Sequence, residues 1–276
     1  MAVVLALLTS ALYGTGDFLG GLATKRNRAI AVLLYVQAFG AIGLIVTMPF
    51  YGAEFAWRDV LIGASGGWIG VMGLALLYRG LARGPMAVVA PLTALTAAVV
   101  PVAWDVAKGN RPSAVTWIGI VVGLVAIVVI SSERDHSTTP VSVRVVAEAL
   151  AAGACFGLYF SIISEAAEDS APWPIVGSRV VTVVGLVTLV LVRRIPVQQV
   201  ERRWIMFFGG LCDTGANVTF LFALEHGSLA AVAVMSSLYP AATVLCARVV
   251  LHEKLDRIKI AGLVIALVAV GLIAGG

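Results

Sequence analysis

Two charged side chains stand deep inside apolar stretches of this sequence, and they are its most specific chemical signal. Arg179 lies seven residues into the apolar run 173–192, and Asp213 lies ten residues into the run 204–224. At the centre of a membrane helix such a residue costs about 2.5–3.5 kcal/mol on insertion scales, so each must face a cavity or a partner. The two runs are consecutive and enter from opposite faces; at 1.5 Å rise per residue their charges reach middle depths within an arginine's length of each other. Two roles stay open: an ion pair that locks the hairpin, or a substrate or proton site. Asn217, four residues after Asp213, shares its helix face and extends a polar wall. Asp17, in YGTGDFLGG, is a second carboxylate. It either snorkels toward the basic stretch Lys25–Arg28, pairing with Lys25, or serves as a proton site. Glu148, near the start of the run 145–164, reads as interfacial.

Neutral polar and aromatic groups form a second tier of candidate binding residues: Tyr13, Gln37, Trp68, Tyr78, Tyr159, Ser237 and Tyr239. In lipid such groups need hydrogen-bond partners, which a central cavity supplies as water or ligand; helix packing is the competing explanation for each. Tyr239 precedes Pro240, and a proline frees a backbone carbonyl that could meet an ion or substrate.

Other chemistries have little support. The three histidines, His136, His226 and His252, fall in connections or at helix ends, and neither a Ser-His-Asp arrangement nor HExxH is present. Without Gly-x-x-x-x-Gly-Lys, ATP is not the direct energy source. Cys155, Cys212 and Cys246 each sit in an apolar run with no CxxC spacing, so they read as inert thiols and no metal or other cofactor is expected. The glycine-rich segment Gly63–Gly73 and Gly16-x-x-x-Gly20 lie inside apolar runs with no strand before them; they read as close helix contacts, not phosphate loops.

The elements that must position these residues follow from composition. Of 276 residues 60% are hydrophobic and 12% charged, and the mean hydropathy is +1.00. A water-soluble fold needs a polar skin that this chain cannot supply, so the bilayer is its solvent. The net charge of +4 comes from short basic clusters between apolar runs, which are topology signals and not a nucleic-acid surface. The first run lacks a leading basic region, which argues against a cleaved signal peptide. A bilayer core of about 30 Å takes roughly 20 residues per helix. Ten runs qualify: 2–21, 30–50, 60–78, 84–104, 114–131, 145–164, 173–192, 204–224, 227–247 and 258–275. The expected fold is therefore an all-α polytopic membrane protein of ten transmembrane helices.

Shifting the chain by 143 residues brings Gly14 onto Gly157, Gly66 and Gly67 onto Gly209 and Gly210, Gly84 onto Gly227, and Gly119 onto Gly262 without a gap. That divides the chain into a five-helix repeat over 1–131, a polar linker over 132–144 and a second five-helix repeat over 145–276. Five is odd, so the second repeat enters the membrane from the other face and the repeats are inverted. Fifteen Lys and Arg residues fall in the odd-numbered loops and three, Arg58, Lys108 and Arg111, in the even-numbered ones. The positive-inside rule then puts the odd loops in the cytoplasm and both termini outside.

The segment Ser236–Ala274, SSLYPAATVLCARVVLHEKLDRIKIAGLVIALVAVGLIA, has Pro240 within a helix, the turn Leu251-x-Glu253-Lys254-Leu255 and a last helix opening at Gly262. It resembles the second half of an EamA-type member of the drug/metabolite transporter superfamily. The first half departs from this pattern: Asn110 stands where the second half has Glu253, and Ala97 where it has Pro240. The resemblance implies a central cavity between the halves and, against the charge count, both termini in the cytoplasm. Small multidrug members of the superfamily carry a mid-membrane carboxylate in their first helix, whereas Asp17 sits off centre.

The expected function is secondary transport: export of small metabolites or drugs across the cytoplasmic membrane by alternating access around a midplane cavity. A lipid-carrier flippase subunit or a membrane scaffold is the alternative, and enzymatic activity is not expected. The implied partners are the lipid bilayer and a small-molecule substrate, not nucleic acid; association into a homodimer stays open.

Overall fold

The computed structural model describes residues 1–50, 55–109, 111–131, 141–163, 165–166, 172–197, 200–224, 226, 236, 238–252 and 257–275. Ser237, most of the linker 132–144, most of the run 227–238 and the turn at Glu253–Leu255 lie outside the described residues. The described residues form ten α-helices and one 3-10 turn, with no strand among them. They are α1 (Ala2–Thr24), α2 (Ala29–Thr47), the 3-10 turn Met48–Phe50, α3 (Trp57–Arg83), α4 (Met86–Ala107), α5 (Ala114–Ser131), α6 (Val143–Ile163), α7 (Trp173–Val192), α8 (Arg203–Leu224), α9 (Tyr239–Leu251) and α10 (Arg257–Gly275). Six, namely α1, α2, α3, α4, α6 and α7, are long and apolar enough over their described residues to cross a membrane, and stretches of α5, α9 and α10 are shorter apolar helices.

The distribution of side chains is inverted relative to a soluble bundle. On α7, Val180 and Val184 are 58% and 59% exposed, while Arg179 and Thr182 are 8% and 1% exposed. α1 presents Val3 and Val4 outward and buries Thr9 and Ser10; α2 presents Ile42 and Ile45 and buries Gln37. Apolar groups outward and polar groups inward is the arrangement lipid selects, because a buried polar group must be satisfied by protein while an outward Val meets acyl chains. Lipid tails are as apolar as leucine, so close packing and interhelical hydrogen bonds must hold the bundle together.

Glycine provides that packing. A Cβ at Gly63 of α3 would fall onto the carbonyl of Pro174 in α7, and one at Gly177 of α7 onto the carbonyl of Val60 in α3. Gly67 sits 2.9 Å, measured from where its Cβ would lie, from the backbone of Ser178; Gly210 lies 2.6 Å from the carbonyl of Val36. Threonine adds cross-helix bonds: Thr243 donates to the carbonyl of Gly14 (3.0 Å) and Thr93 to that of Ala149 (3.1 Å). Each of these links the fourth or ninth helix to the first helix of the other half.

Several helix pairings follow one pattern, although contacts of α1 with α3 and of α4 with α10 fall outside it. α1 packs on α8 and α9, and α6 packs on α3 and α4; α2 packs on α8, and α7 on α3. Replacing each helix by the one five places further along exchanges these pairings, and α2 with α7, α4 with α9 and α5 with α10 also touch.

Pro240 does not kink a described helix. It occupies the first turn of α9, after Leu238 in a turn conformation, where its missing N–H would have no intrahelical partner anyway. The equivalent Ala97 lies inside the continuous α4. Gly63→Leu or Gly177→Leu should overpack the α3–α7 contact by about 1–3 kcal/mol or more. The folded peak in detergent size exclusion should then collapse, whereas Gly271→Ala, with nothing within 4 Å of the added Cβ, should leave the melting temperature unchanged.

Candidate functional site

The buried charge lies where α7, α8 and α2 meet. Arg179 of α7 donates from Nη2 to Oδ2 of Asp213 on α8 and from Nη1 to Oε1 of Gln37 on α2. The arginine side chain is 10% exposed and the aspartate 24%. Gly40, one turn beyond Gln37, makes room: a Cβ there would stand 3.3 Å from the guanidinium carbon and 3.1 Å from Oγ1 of Thr214. Thr214 donates to the carbonyl of Gly40 (2.8 Å), fixing α8 against α2 beside the pair. The ion pair, one of the two roles the sequence left open, is present, and Gln37 supplies a polar ligand from the other half of the chain.

A chain of hydrogen bonds runs from this pair toward α1. The Asn217 amide donates to the carbonyl of Asp213 (2.7 Å), and its Oδ1 accepts from the hydroxyl of Tyr13 (3.0 Å). Tyr159 of α6 shares a side-chain hydrogen bond with Ser178, the neighbour of Arg179, and its ring lies against Gly66 and Gly70 of α3. Tyr13, Tyr159, Asp213, Asn217 and Tyr239 are half-buried, so protein surrounds them without closing over them. Tyr78 is fully buried; its ring occupies the notch left by Gly20 on α1 and lies within electrostatic reach of Asp17, Asp213 and Arg179.

Asp17 belongs to this set and is not paired with Lys25. Eight residues of α1 separate them, about 12 Å along the axis, and Lys25 caps the helix at its exposed end. The carboxylate instead interacts electrostatically with Asp213, Tyr13, Tyr78 and Tyr239. It has no ion-pair or hydrogen-bond partner among the described residues. The set thus holds one guanidinium for two carboxylates.

Trp68 is not brought to the set. Its indole fills the notch at Gly185 of α7 and is 41% exposed on the outer surface, because its helix position faces away from Gly66 and Gly70, where Tyr159 packs. Sequence reasoning missed Gly40, Thr214 and Ser178. Each is adjacent in sequence, or one helical turn away, from a residue that was singled out, so that proximity was the available signal. Ser236 is also buried, with a hydroxyl that has no hydrogen-bond partner among the described residues. Among the described residues no group of histidine, cysteine and carboxylate side chains is arranged to hold a metal.

The arrangement offers charged and hydrogen-bonding groups contributed by residues from both halves of the chain. Residues 144–275 match the model of the EamA-like transporter family. The second half of the chain is thus similar to an EamA-type unit, and with six described helices long and apolar enough to cross a membrane the protein is an integral, multi-pass membrane protein. No curated protein matches the chain. A solved structure, described only as a crystal structure of a protein, superposes with a TM-score of 0.62 at 17% identity, over 96% of this chain and 96% of its own. At that identity the likeness is one of fold.

Breaking a buried ion pair by removing one partner costs about 3–5 kcal/mol, because the other charge is stranded. Arg179→Ala and Asp213→Ala should each lower the melting temperature in detergent sharply. The charge-exchanged protein, Arg179→Asp with Asp213→Arg, should recover part of that loss; absence of recovery would show that the two residues are not energetically coupled.

Proposed function

We propose that the protein is a secondary transporter that exports small metabolites or drugs across the cytoplasmic membrane by alternating access. In this reading its halves, 1–131 and 145–276, are inverted repeats that rock about the Arg179–Asp213–Asp17 centre. The observation that carries the reading is the composition of that centre. Two carboxylates and one guanidinium lie within the apolar helices with four tyrosines around them, and Asp17 has no countercharge among the described residues. A carboxylate in hydrocarbon needs a proton or a cationic group nearby. The missing positive charge is then carried by a coupling proton or by the solute, which ties occupancy of the site to its charge state. The exchange of helix pairings between the halves supports the inverted-repeat arrangement, and the glycine notches between α3 and α7 give interfaces smooth enough to slide.

In this reading the two carboxylates have separate roles. Asp213, held by Arg179, forms the fixed wall with Gln37 and Asn217; Asp17, facing the tyrosines, is the exchangeable carboxylate. Purified protein should show a ligand-induced rise in melting temperature with at least one class among amino acids, nucleosides, sugars, polyamines and lipophilic cations, since a ligand that binds only the folded state stabilises it by mass action. In proteoliposomes, Asp17→Asn should abolish the dependence of uptake of that ligand on a pH gradient while leaving counterflow exchange measurable. Asp213→Asn should abolish both. Silence across the panel, amphiphiles included, together with wild-type growth of cells carrying either variant, would replace transport with a scaffolding role.

A further inference from the structure

Away from the central site, three arginines converge on one buried carboxylate. Oε1 of Glu148, near the start of α6, accepts from Nη2 of Arg79 and from Nη1 of Arg83, both at 3.0 Å, and Nε of Arg144 lies 3.4 Å away. The Glu148 side chain is 8% exposed, while those of Arg79, Arg83 and Arg144 are 36%, 47% and 70% exposed. The cluster sits where the end of α3 meets the start of α6, on the face of the odd-numbered loops. Sequence placed Glu148 at the interface; the structure makes it a buried hub whose second oxygen, Oε2, has no hydrogen-bond partner among the described residues.

Charge and geometry set what this cluster can take. Three guanidinium groups against one carboxylate leave an excess of two positive charges. A guanidinium carries five N–H donors in a planar fork, and Glu148 uses one edge of each. The remaining donors are drawn together by a common anchor and exposed at helix ends. An arrangement of that kind suits the oxygens of a phosphate better than a single carboxylate.

The surface leading to the cluster is apolar and faces outward. Leu61, Trp68, Met72 and Arg79 recur at seven and four residue steps along α3, which places them on one helix face. The first three are 64%, 41% and 58% exposed. An acyl chain lying along Met72 and Trp68 would bring its headgroup to Arg79. Trp68 takes its place here, on the lipid-facing track and not at the central site.

We propose that Arg79, Arg83 and Arg144, gathered by Glu148, form a binding site for the phosphate of an anionic phospholipid in the leaflet at the odd-loop face. The acyl chain runs along Met72 and Trp68 of α3. The bound lipid bridges the ends of α3 and α6, on which α7 and α4 pack, and it stabilises this end of the bundle. A net-negative headgroup is preferred over a zwitterionic one because the cluster repels a choline or ethanolamine cation.

The test uses the protein in nanodiscs of pure phosphatidylcholine, or with part of the lipid replaced by phosphatidylglycerol to supply a negative surface. Melting temperature and retained lipid by native mass spectrometry are the readouts. The wild type should melt higher with phosphatidylglycerol and retain it preferentially. Affinity should fall roughly five-fold for each arginine removed, so Arg83→Gln and Arg144→Gln should each weaken the preference and the double variant should lose it. Arg144→Gln changes the most exposed member, which guards against a variant that fails to fold. The wild-type comparison stands even if both variants do fail. Equal melting in the two lipids, or an unchanged preference in folded variants, overturns the proposal. So does equal protection of lipid-depleted protein by inorganic phosphate, which would make the cluster a site for soluble anions. None of these outcomes depends on transport, so the site stands or falls separately from the central one.

Discussion

Putting one full positive charge in the hydrocarbon layer constrains everything around it. Eighteen of the nineteen lysines and arginines fall between or at the ends of the predicted spans, and Arg179 alone lies within one. A guanidinium keeps its proton in proteins, so the fold has to bring partners to it. Asp213 supplies the countercharge and Gln37 a second acceptor. Gly40 omits the side chain that would collide with the guanidinium, and Thr214 pins the carbonyl at that gap. α2, α7 and α8 are thereby held in one geometry, and α2 belongs to the other half of the chain.

Packing and polarity divide the work between them. The glycine notches bring backbones to contact distance, which is where attraction between helices in lipid comes from. They also fix which faces meet, and so which polar side chains end up inside. Tyr159 reaches Ser178 because Gly66 and Gly70 leave a flat surface for its ring. Tyr78 fits beside α1 because Gly20 is cut away beneath it. The glycines are thus positioning residues for the aromatic wall of the central site, although none carries a functional group.

How much of this was legible in sequence depends on the length scale of the signal. Most helices and their approximate bounds were readable, because a membrane span is a long apolar run and the hydrocarbon thickness sets its length; of the expected run 227–247, residues 227–235 lie outside the described residues, and the described helix there is Tyr239–Leu251. The Arg179–Asp213 pair was readable too: two charges at like depth on consecutive spans have few alternatives. Asp17 was harder. Its proximity in sequence to Lys25 invited a surface pairing, but helix rise carries the two about 12 Å apart and the rotation of α1 turns the carboxylate toward Tyr239 and Tyr13. Trp68 failed for the same reason in reverse. Apolar periodicity is weak when both faces of a helix are apolar, so the face that looks inward is decided by packing against Gly185 and not by composition. Ser237 and the Glu253 turn lie outside the described residues.

Several helix pairings correspond between the halves, whereas the charged residues do not. Under the 143-residue shift Gly67 and Gly210 do the same work, each admitting the backbone of the neighbouring helix. Yet Arg179 answers to Val36, Asp213 to Gly70, Asn217 to Leu74 and Asp17 to Phe160. Glu148 answers to Leu5, and Arg83 to His226. A bundle with matched interfaces can adopt two arrangements of similar energy, related by exchanging the roles of its halves. Charges placed on only one side of that exchange make the two arrangements unequal, and under the proposed function protonation or a bound cation at Asp17 would change the inequality. In the proposed transport cycle, matched glycines would supply the freedom to move, and unmatched charges the reason to move when the site is filled.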